Sequence, residues 1–322
     1  MNIGVTIIIC TYNGIDRLGK TIEHVANQDV PAHMDWEVII ADNGSVDNSA
    51  DFSENEWTKY SKRTVGFNVI KESKPGKLHA LQKAIKNAKY EYIVICDDDN
   101  WLSPNYVSIV FSKLNQHPEI AAVGGLGIPE TNGIDLPDWF DNYGYAYAVG
   151  PQSSGSGKLK RGKILWGAGL ATRRTLYTRM YESQPSLLLE SSKNILSAED
   201  SEYCLRLLLK GHQLYYDDSL IYKHFIPAHK LDRQFRRQKL QKGFEDSRFI
   251  LRKYYAAMKA YIDAKNRPDI WVYLFIISCL RYALLFANKD KRTKAKDTLF
   301  HLLPCWTNSD PISTRIKAFM NN

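Results

Sequence analysis

The chain has 322 residues, 44% apolar and 24% charged, with a formal net charge of +8. That is ordinary globular composition, which excludes intrinsic disorder and leaves room for one large domain or two modest ones. Five scattered cysteines (Cys10, Cys96, Cys204, Cys279 and Cys305) form no CxxC pair, which argues for reduced, mostly buried thiols in a cytosolic setting.

The N-terminal stretch MNIGVTIIICTYN has no basic region and no small-residue cleavage site. Its apolar run is short and β-branched, so it reads as a strand and not as a signal peptide. GVTIIIC (4–10), WEVIIA (36–41), GFNVIK (66–71) and YIVIC (92–96) read as buried strands. GKTIEHVANQ and KLHALQKAIKNAK lie between them with helical apolar spacing. Strand–helix–strand repetition predicts a parallel, twisted α/β sheet with right-handed crossovers. Such sheets bind ligands at the carboxyl ends of their strands. TYNG, DNGS and DDDN each fall at such an end. Turn formation would explain one of these clusters; three on one rim point to a shared site.

From residue 120 the pattern loosens. GPQSSGSGKLKRGK (150–163) is Gly/Ser-rich and basic and reads as a mobile loop, and ILWGAGLATRR (164–174) returns to order. A helix is predicted from about Ala198 to Lys210, with Cys204, Leu205, Leu208 and Leu209 on its buried face, then a glycine stop and a strand. Residues 223–267 hold thirteen Lys or Arg against four Asp or Glu. Leu251, Tyr254, Tyr255, Met258 and Ile262 form an amphipathic stripe through that segment. The nearly all-apolar run IWVYLFIISCLRYALLFA (270–287) follows, then the basic cluster NKDKRTKAK. No internal repeat is visible.

YIVICDDDNW runs an apolar strand straight into Asp97, Asp98 and Asp99. Adjacent carboxylates repel one another and are costly to desolvate, so a cationic ligand is the natural reason for them. Two motif readings compete for this region. GIDRLGKT (14–21) formally matches G-x-x-x-x-G-K-[ST], with Lys20 as its lysine. A phosphate-wrapping loop favours small residues inside, however, and this one holds Ile15, Asp16, Arg17 and Leu18.

The second reading rests on an ordered set: VTIIICTYNG, VIIADNGSVDNS, GKLHALQKAIKNAKYEYIVICDDDNWLSPNYV, WGAGLATRR, AEDSEYCLRLLLKGH and IYKHF. Together, over about residues 3 to 230, they resemble the family 2 glycosyltransferases. The resemblance implies the GT-A fold, a mostly parallel α/β sheet flanked by helices. It implies a catalytic domain over 1–230, with a nucleotide-binding half (1–100) and an acceptor half (101–230). Residues 231–322 then form a helical, basic and apolar extension.

The resemblance also implies roles. DDD matches a DxD motif, with Asp99 ligating Mn²⁺ or Mg²⁺ and Asp97 contacting the ribose or the metal-bound water. Both cations accept oxygen ligands and substrate phosphates. Asp98 is the variable middle position, grouped with the nucleotide-sugar contacts or pointing away from them. Strand alternation would put Asp97 and Asp99 on one side if the strand geometry persists. His224, in YKH, matches a further metal contact, or is a strand-end histidine with an ordinary hydrogen bond. Thr11, Tyr12 and Asn13 would line base and ribose, and Asp42 would accept a hydrogen bond from the base. Lys77 would touch base or phosphate, or is a surface lysine. The family pattern carries Asn near the position of Lys83, where this chain departs from it. Asp200 matches the general base of the ED motif, with Glu199 beside it in acceptor binding. Ser197, Glu199 and Asp200 also suit a helix N-terminus. Gly167, Ala168 and Gly169 would let backbone approach the donor sugar, and Trp166 stacks on a sugar or sits in a core. One base and in-line attack imply inversion at the anomeric carbon.

The 270–287 run would be about 27 Å long as a helix, short of a comfortable span. It reads as spanning, as lying in a membrane surface, or as buried against the catalytic domain. Basic flanks favour an anionic membrane or a lipid-linked acceptor. No nucleic-acid recognition motif accompanies the charge. The expectation is an enzyme at the cytosolic face of a membrane, moving sugar from a nucleotide-diphosphate donor to a saccharide or lipid-linked saccharide in bacterial surface-polysaccharide synthesis. A P-loop kinase and a non-catalytic carbohydrate-binding subunit are the rival classes.

Overall fold

The structure, a computed structural model, describes residues 2–60, 65–189, 198–237, 242–285, 288–303 and 310–321. Along the chain run β1 (Asn2–Thr11), α1 (Ile15–Ala26), β2 (Trp36–Asp42), α2 (Ser49–Thr58), β3 (Gly66–Lys71), α3 (Lys77–Asn87), β4 (Tyr90–Asp97), β5 (Asn100–Leu102), α4 (Tyr106–Gln116) and β6 (Ile120–Glu130). Then come β7 (Gly157–Lys158), β8 (Ala171–Arg173), α5 (Arg174–Glu182), α6 (Glu199–Leu209), β9 (Gln213–Phe225) and α7 (Arg233–Phe235). The last four helices are α8 (Lys242–Met258), α9 (Pro268–Leu284), α10 (Lys289–Leu302) and α11 (Pro311–Asn321).

The chain forms two compact units, Met1–Thr178 with Gln213–Gln241, and Arg179–His212 with Lys242–Asn322. Helix α6 clusters with the C-terminal helices and β9 with the N-terminal sheet.

The first unit is built on one mixed sheet in the order β3-β2-β1-β4-β8-β6-β9-β5, with β7 on β9. The four expected strands are β1 to β4, and all three of their pairings are parallel. Val5, Ile7, Ile8 and Ile9 of β1 have no exposed surface. Their apolar run, without alternation, is what a strand covered on both faces requires. The chain order reverses at β1, so a crevice opens between the carboxyl ends of β1 and β4, where such sheets take their ligands. Register puts Thr11 beside Asp42 and Cys10 beside Asp97, so three of the polar strand ends are level. The antiparallel β5–β9 pair sets Asn100 opposite His224.

In the second unit, α6 is anchored by Glu202. This buried carboxylate accepts hydrogen bonds from the Leu187 N–H (2.9 Å), Tyr254 Oη (2.7 Å), Ser186 and Arg206. Arg206 also donates to the carbonyls of Met180, Gln184 and Pro185, so the buried pair is fully satisfied. Tyr254 and Met258 of the expected stripe are buried, whereas Leu251, Tyr255 and Ile262 are half-buried. Helix α8 continues into a π-helical turn at Lys259–Asp263. Cys10, Cys96 and Cys204 are buried as thiols and Cys279 is half-buried; Cys305 lies outside the described residues.

The expected 270–287 helix is α9, which ends at Leu284. Phe286 and Ala287 lie outside the described residues. Among those described, no helix is long and apolar enough to cross a membrane.

Candidate active site

The rim at the β1, β2 and β4 ends is held together by side chains from all three clusters. Asn13 has a positive φ of 48°, a conformation that asparagine tolerates. Its Oδ1 accepts from the Val46 N–H at 2.9 Å, and its own N–H donates to Ser45 Oγ at 2.9 Å. Asp42 is buried, and its Oδ1 accepts from the Ser45 N–H at 3.1 Å. Asn43 ties this rim to the loop before α3. It donates to the carbonyls of Glu72 (3.1 Å) and Lys74 (2.7 Å) and accepts from the Gly76 N–H at 2.7 Å. Lys77, the first residue of α3, pairs with Asp97. Tyr12 stands 59% exposed on the rim.

Strand β4 stops at Asp97, and Asp98 and Asp99 form a turn. Strand geometry, the condition on which alternation would put Asp97 and Asp99 on one side, therefore ends at Asp97, and a turn orients Asp99. Asn100 Oδ1 accepts from the Asp97 N–H at 3.1 Å, and the Asp99 carbonyl accepts from the Phe225 N–H at 2.8 Å. Asp98 points neither into solvent nor beside its neighbours. Its Oδ1 and Oδ2 take the Arg17 Nε and Nη2 donors at 2.7 and 2.8 Å, and Thr11 Oγ1 donates to Oδ2 at 2.7 Å. A Cβ at Gly14 would fall on both Thr11 Oγ1 and Asp98 Oδ2, so the glycine leaves room for this seat. Burial pushes the Asp98 carboxyl up, against the pull of Arg17. Thr11 and Asp98, two of the expected donor contacts, thus meet one another and the part-exposed Arg17 at the rim.

Asp99 is 6% exposed. Its Oδ2 lies 3.4 Å from His224 Nε2 and 3.1 Å from Lys230 Nζ. Burial opposes its ionisation, but the two basic groups hold it well below the usual carboxylate range. Burial likewise pulls the His224 imidazole down, and Asp99 outweighs it, so His224 is shifted up. His224 Nδ1 is buried with no hydrogen-bond partner among the described residues.

Among the described residues, no group of three or more His, Cys, Asp or Glu side chains is arranged around a metal position. A carboxylate oxygen and an imidazole nitrogen aimed at one another form a partial set, of the oxygen and nitrogen donors that Mn²⁺ accepts. Substrate phosphates commonly complete such a shell. Asp99 and His224 would offer such a cation one oxygen and one nitrogen donor, with Lys230 sharing the same oxygen.

Glu199 and Asp200 open α6 in the second unit, where acidic side chains favour the helix N-terminus. Asp200 Oδ1 accepts from the Ser201 N–H at 2.6 Å, and Glu199 Oε2 accepts from the Ala198 N–H at 3.1 Å. Ala198 is held at φ 100°, a strained backbone for a residue with a Cβ. Ser197, the expected cap, lies outside the described residues, as do the rest of 190–197. Gly167 and Ala168 are buried in the turn before β8, and Trp166 is half-buried. The Trp166 N–H donates to Gln152 Oε1 at 2.8 Å.

The P-loop reading is overturned. Residues 15–26 are α-helical, so no backbone loop encircles a phosphate, and Lys20 pairs with Glu23 on the exposed helix face. Sequence reasoning missed Arg17, Asn43 and Lys230. Arg17 recurs one turn after TYN on α1, a visible signal. Lys230 lies 131 residues from Asp99 and carried none.

The family model for glycosyl transferase family 2 matches residues 6–152. A poly(ribitol-phosphate) beta-glucosyltransferase of Bacillus spizizenii is 30% identical over 160 residues, covering 46% of this chain and 24% of the relative. A poly-beta-1,6-N-acetyl-D-glucosamine synthase of Staphylococcus epidermidis is 29% identical over 126 residues, covering 38% of this chain and 28% of the relative. The chain thus spans about a quarter of the length of these relatives. Among solved structures, S. aureus TarS 1–349 in complex with UDP-GlcNAc matches with TM-score 0.57 at 13% identity, over 94% of this chain and 82% of that one. Mannosyltransferase PcManGT from Pyrobaculum calidifontis, in complex with GDP-Man and Mn²⁺, matches with TM-score 0.53 at 18% identity, over 99% and 79%. At these identities the structural likeness speaks to fold: a mixed sheet flanked by helices, as GT-A predicts.

Proposed function

Because residues 6–152 match the glycosyl transferase family 2 model, we propose that the chain is a family 2 glycosyltransferase that moves a sugar from a nucleotide-diphosphate donor, UDP- or GDP-linked, to a saccharide or lipid-linked saccharide, with inversion. The observation that carries this reading is the convergence of the TYNG, DNGS and DDDN ends on one rim, where Asp99 faces His224 and Lys230. The names of the relatives, which make a glucosylated poly(ribitol phosphate) and a poly-N-acetylglucosamine, support a place in bacterial surface-polysaccharide synthesis.

Each residue then has a task. Tyr12, Asn13 and Asp42 receive base and ribose. Lys77 and Asp97, paired in this structure, separate to meet the diphosphate side of the donor. Mn²⁺ or Mg²⁺, held by Asp99 and His224 with Asp97 nearby in sequence, would neutralise the charge that grows on the leaving diphosphate. Gly167 and Ala168 let backbone approach the donor sugar. Asp200 takes the proton from the attacking hydroxyl, and Glu199 orients the acceptor. Residues 1–230 act as the catalytic region. Residues 231–322 form the extension that meets the membrane at its cytosolic face.

Calorimetric titration of UDP, GDP and ATP tests this reading, with Mn²⁺ and with EDTA, on wild type and Asp99→Ala. Metal-dependent binding of UDP or GDP that disappears in Asp99→Ala is the expected result. Binding of ATP alone, unchanged in Asp99→Ala, would sink it. Nucleotide binding without transfer in any donor screen would point to a carbohydrate-binding subunit instead.

A further inference from the structure

Helix α9 is apolar on nearly every side, with Asp269 and Arg281 its only charged residues, yet only part of it is covered. Trp271, Leu274 and Phe275 pack beside the buried Ala260, Ala264 and Leu302 of the same unit. On another face, Val272, Tyr273, Ile276, Leu280 and Leu284 are 47%, 63%, 51%, 48% and 70% exposed. Four of them recur every fourth residue, which aligns them in one stripe along the helix. An all-round apolar helix in a soluble setting is normally buried, and a contiguous exposed apolar patch marks a surface that something covers.

We propose that this stripe lies in the headgroup–acyl boundary of an anionic lipid monolayer, with α9 parallel to the membrane plane. Charge decides between occupants. Arg281 is exposed between Leu280 and Leu284, at the stripe's own end. Next in the chain come exposed Lys289, Lys291 and Lys294. Asp269 is paired with Arg267, and Asp290 with Lys294 and Arg252, so the region's surplus is positive. Stacking two copies through this face would bring like charges together. Anionic headgroups accept the same cations while the apolar side chains enter the acyl layer. Tyr273 offers the ring and hydroxyl that favour such a boundary. With 17 helical residues and an exposed arginine, α9 lies on the membrane and does not cross it. The inference does not depend on donor chemistry, because vesicle binding needs no nucleotide sugar. A failed transferase assay therefore leaves its outcome untouched.

The test is co-flotation of the full chain with vesicles of phosphatidylcholine mixed with phosphatidylglycerol, and with vesicles of phosphatidylcholine alone. Wild type should bind the mixed vesicles, less well at high salt. Ile276→Ser/Leu280→Ser should weaken binding about ten-fold, and Arg281→Ala about five-fold. All substituted side chains are exposed, and circular dichroism checks that the fold survives. Failure of wild type to bind mixed vesicles, or equal binding by the double variant, would overturn the proposal. So would a concentration-dependent dimer that Ile276→Ser/Leu280→Ser makes monomeric, since a second copy would then be the cover.

Discussion

Lys230 Nζ lies 3.1 Å from Asp99 Oδ2, the oxygen that His224 Nε2 also faces at 3.4 Å. A buried carboxylate without a partner is strongly destabilising, and these two basic groups supply the compensation. The Lys230 carbonyl in turn accepts from Tyr147 Oη at 2.7 Å, which fixes its backbone. A divalent cation that takes Asp99 Oδ2 would therefore exchange with the ammonium. Removing the competitor in Lys230→Met should tighten Mn²⁺ binding about five-fold without nucleotide. Lys230→Arg should stay near wild type. Electron paramagnetic resonance of free Mn²⁺ reads both; equal affinities in all three proteins would mean no competition.

Arg17 and Asp98 form a two-pronged ion pair with side chains 31% and 11% exposed. Arg17→Ala leaves the carboxylate in place with only Thr11 as donor. It should cost about 2 kcal/mol of unfolding free energy, a figure reduced from fully buried cases because Arg17 reaches solvent. Urea denaturation of both single variants and of the double variant with Asp98→Ala measures the coupling. A coupling near zero would show that the pair adds nothing to the rim.

Asp200→Asn keeps the shape of the α6 N-terminus and removes the proposed base. Transfer should fall by about 10²- to 10⁴-fold while calorimetric binding of the nucleotide is retained. Lys20→Ala, on the exposed face of α1, should leave both unchanged. Retained transfer in Asp200→Asn would assign the base elsewhere.

His301, on α10, is 5% exposed. Burial, with Lys253 and Lys317 adding to it, pulls its imidazole down to about 4 from an ordinary 6.5. Between those values the unfolded chain binds a proton that the folded chain refuses. Stability therefore falls as the pH drops through this window, by up to about 3 kcal/mol, and this contribution levels off below it. His301→Gln should flatten that part of the profile. Urea midpoints taken from about pH 7 down to about pH 4 would show it; parallel profiles would mean that His301 is not the group responsible.

The sequence by itself determined the four parallel strands, the helices between them and the positions of the TYNG, DNGS and DDDN ends. Those features are local: β-branched runs, helical apolar spacing and polar breaks are written in consecutive residues. It also marked α6, with Glu199 and Asp200 in its first turn. Only the tertiary structure decided what those ends hold. Asp98 turned to Arg17 because a turn, not a continuing strand, follows Asp97. Asp99 met His224 through the β5–β9 pairing, and Lys230 through a short 3-10 helix (Ala228–Leu231) 131 residues away. The apolar run at 270–287 was legible as a helix, but which of its faces is covered was not. Periodicity cannot separate faces when every side of a helix is apolar; packing against neighbours breaks that symmetry.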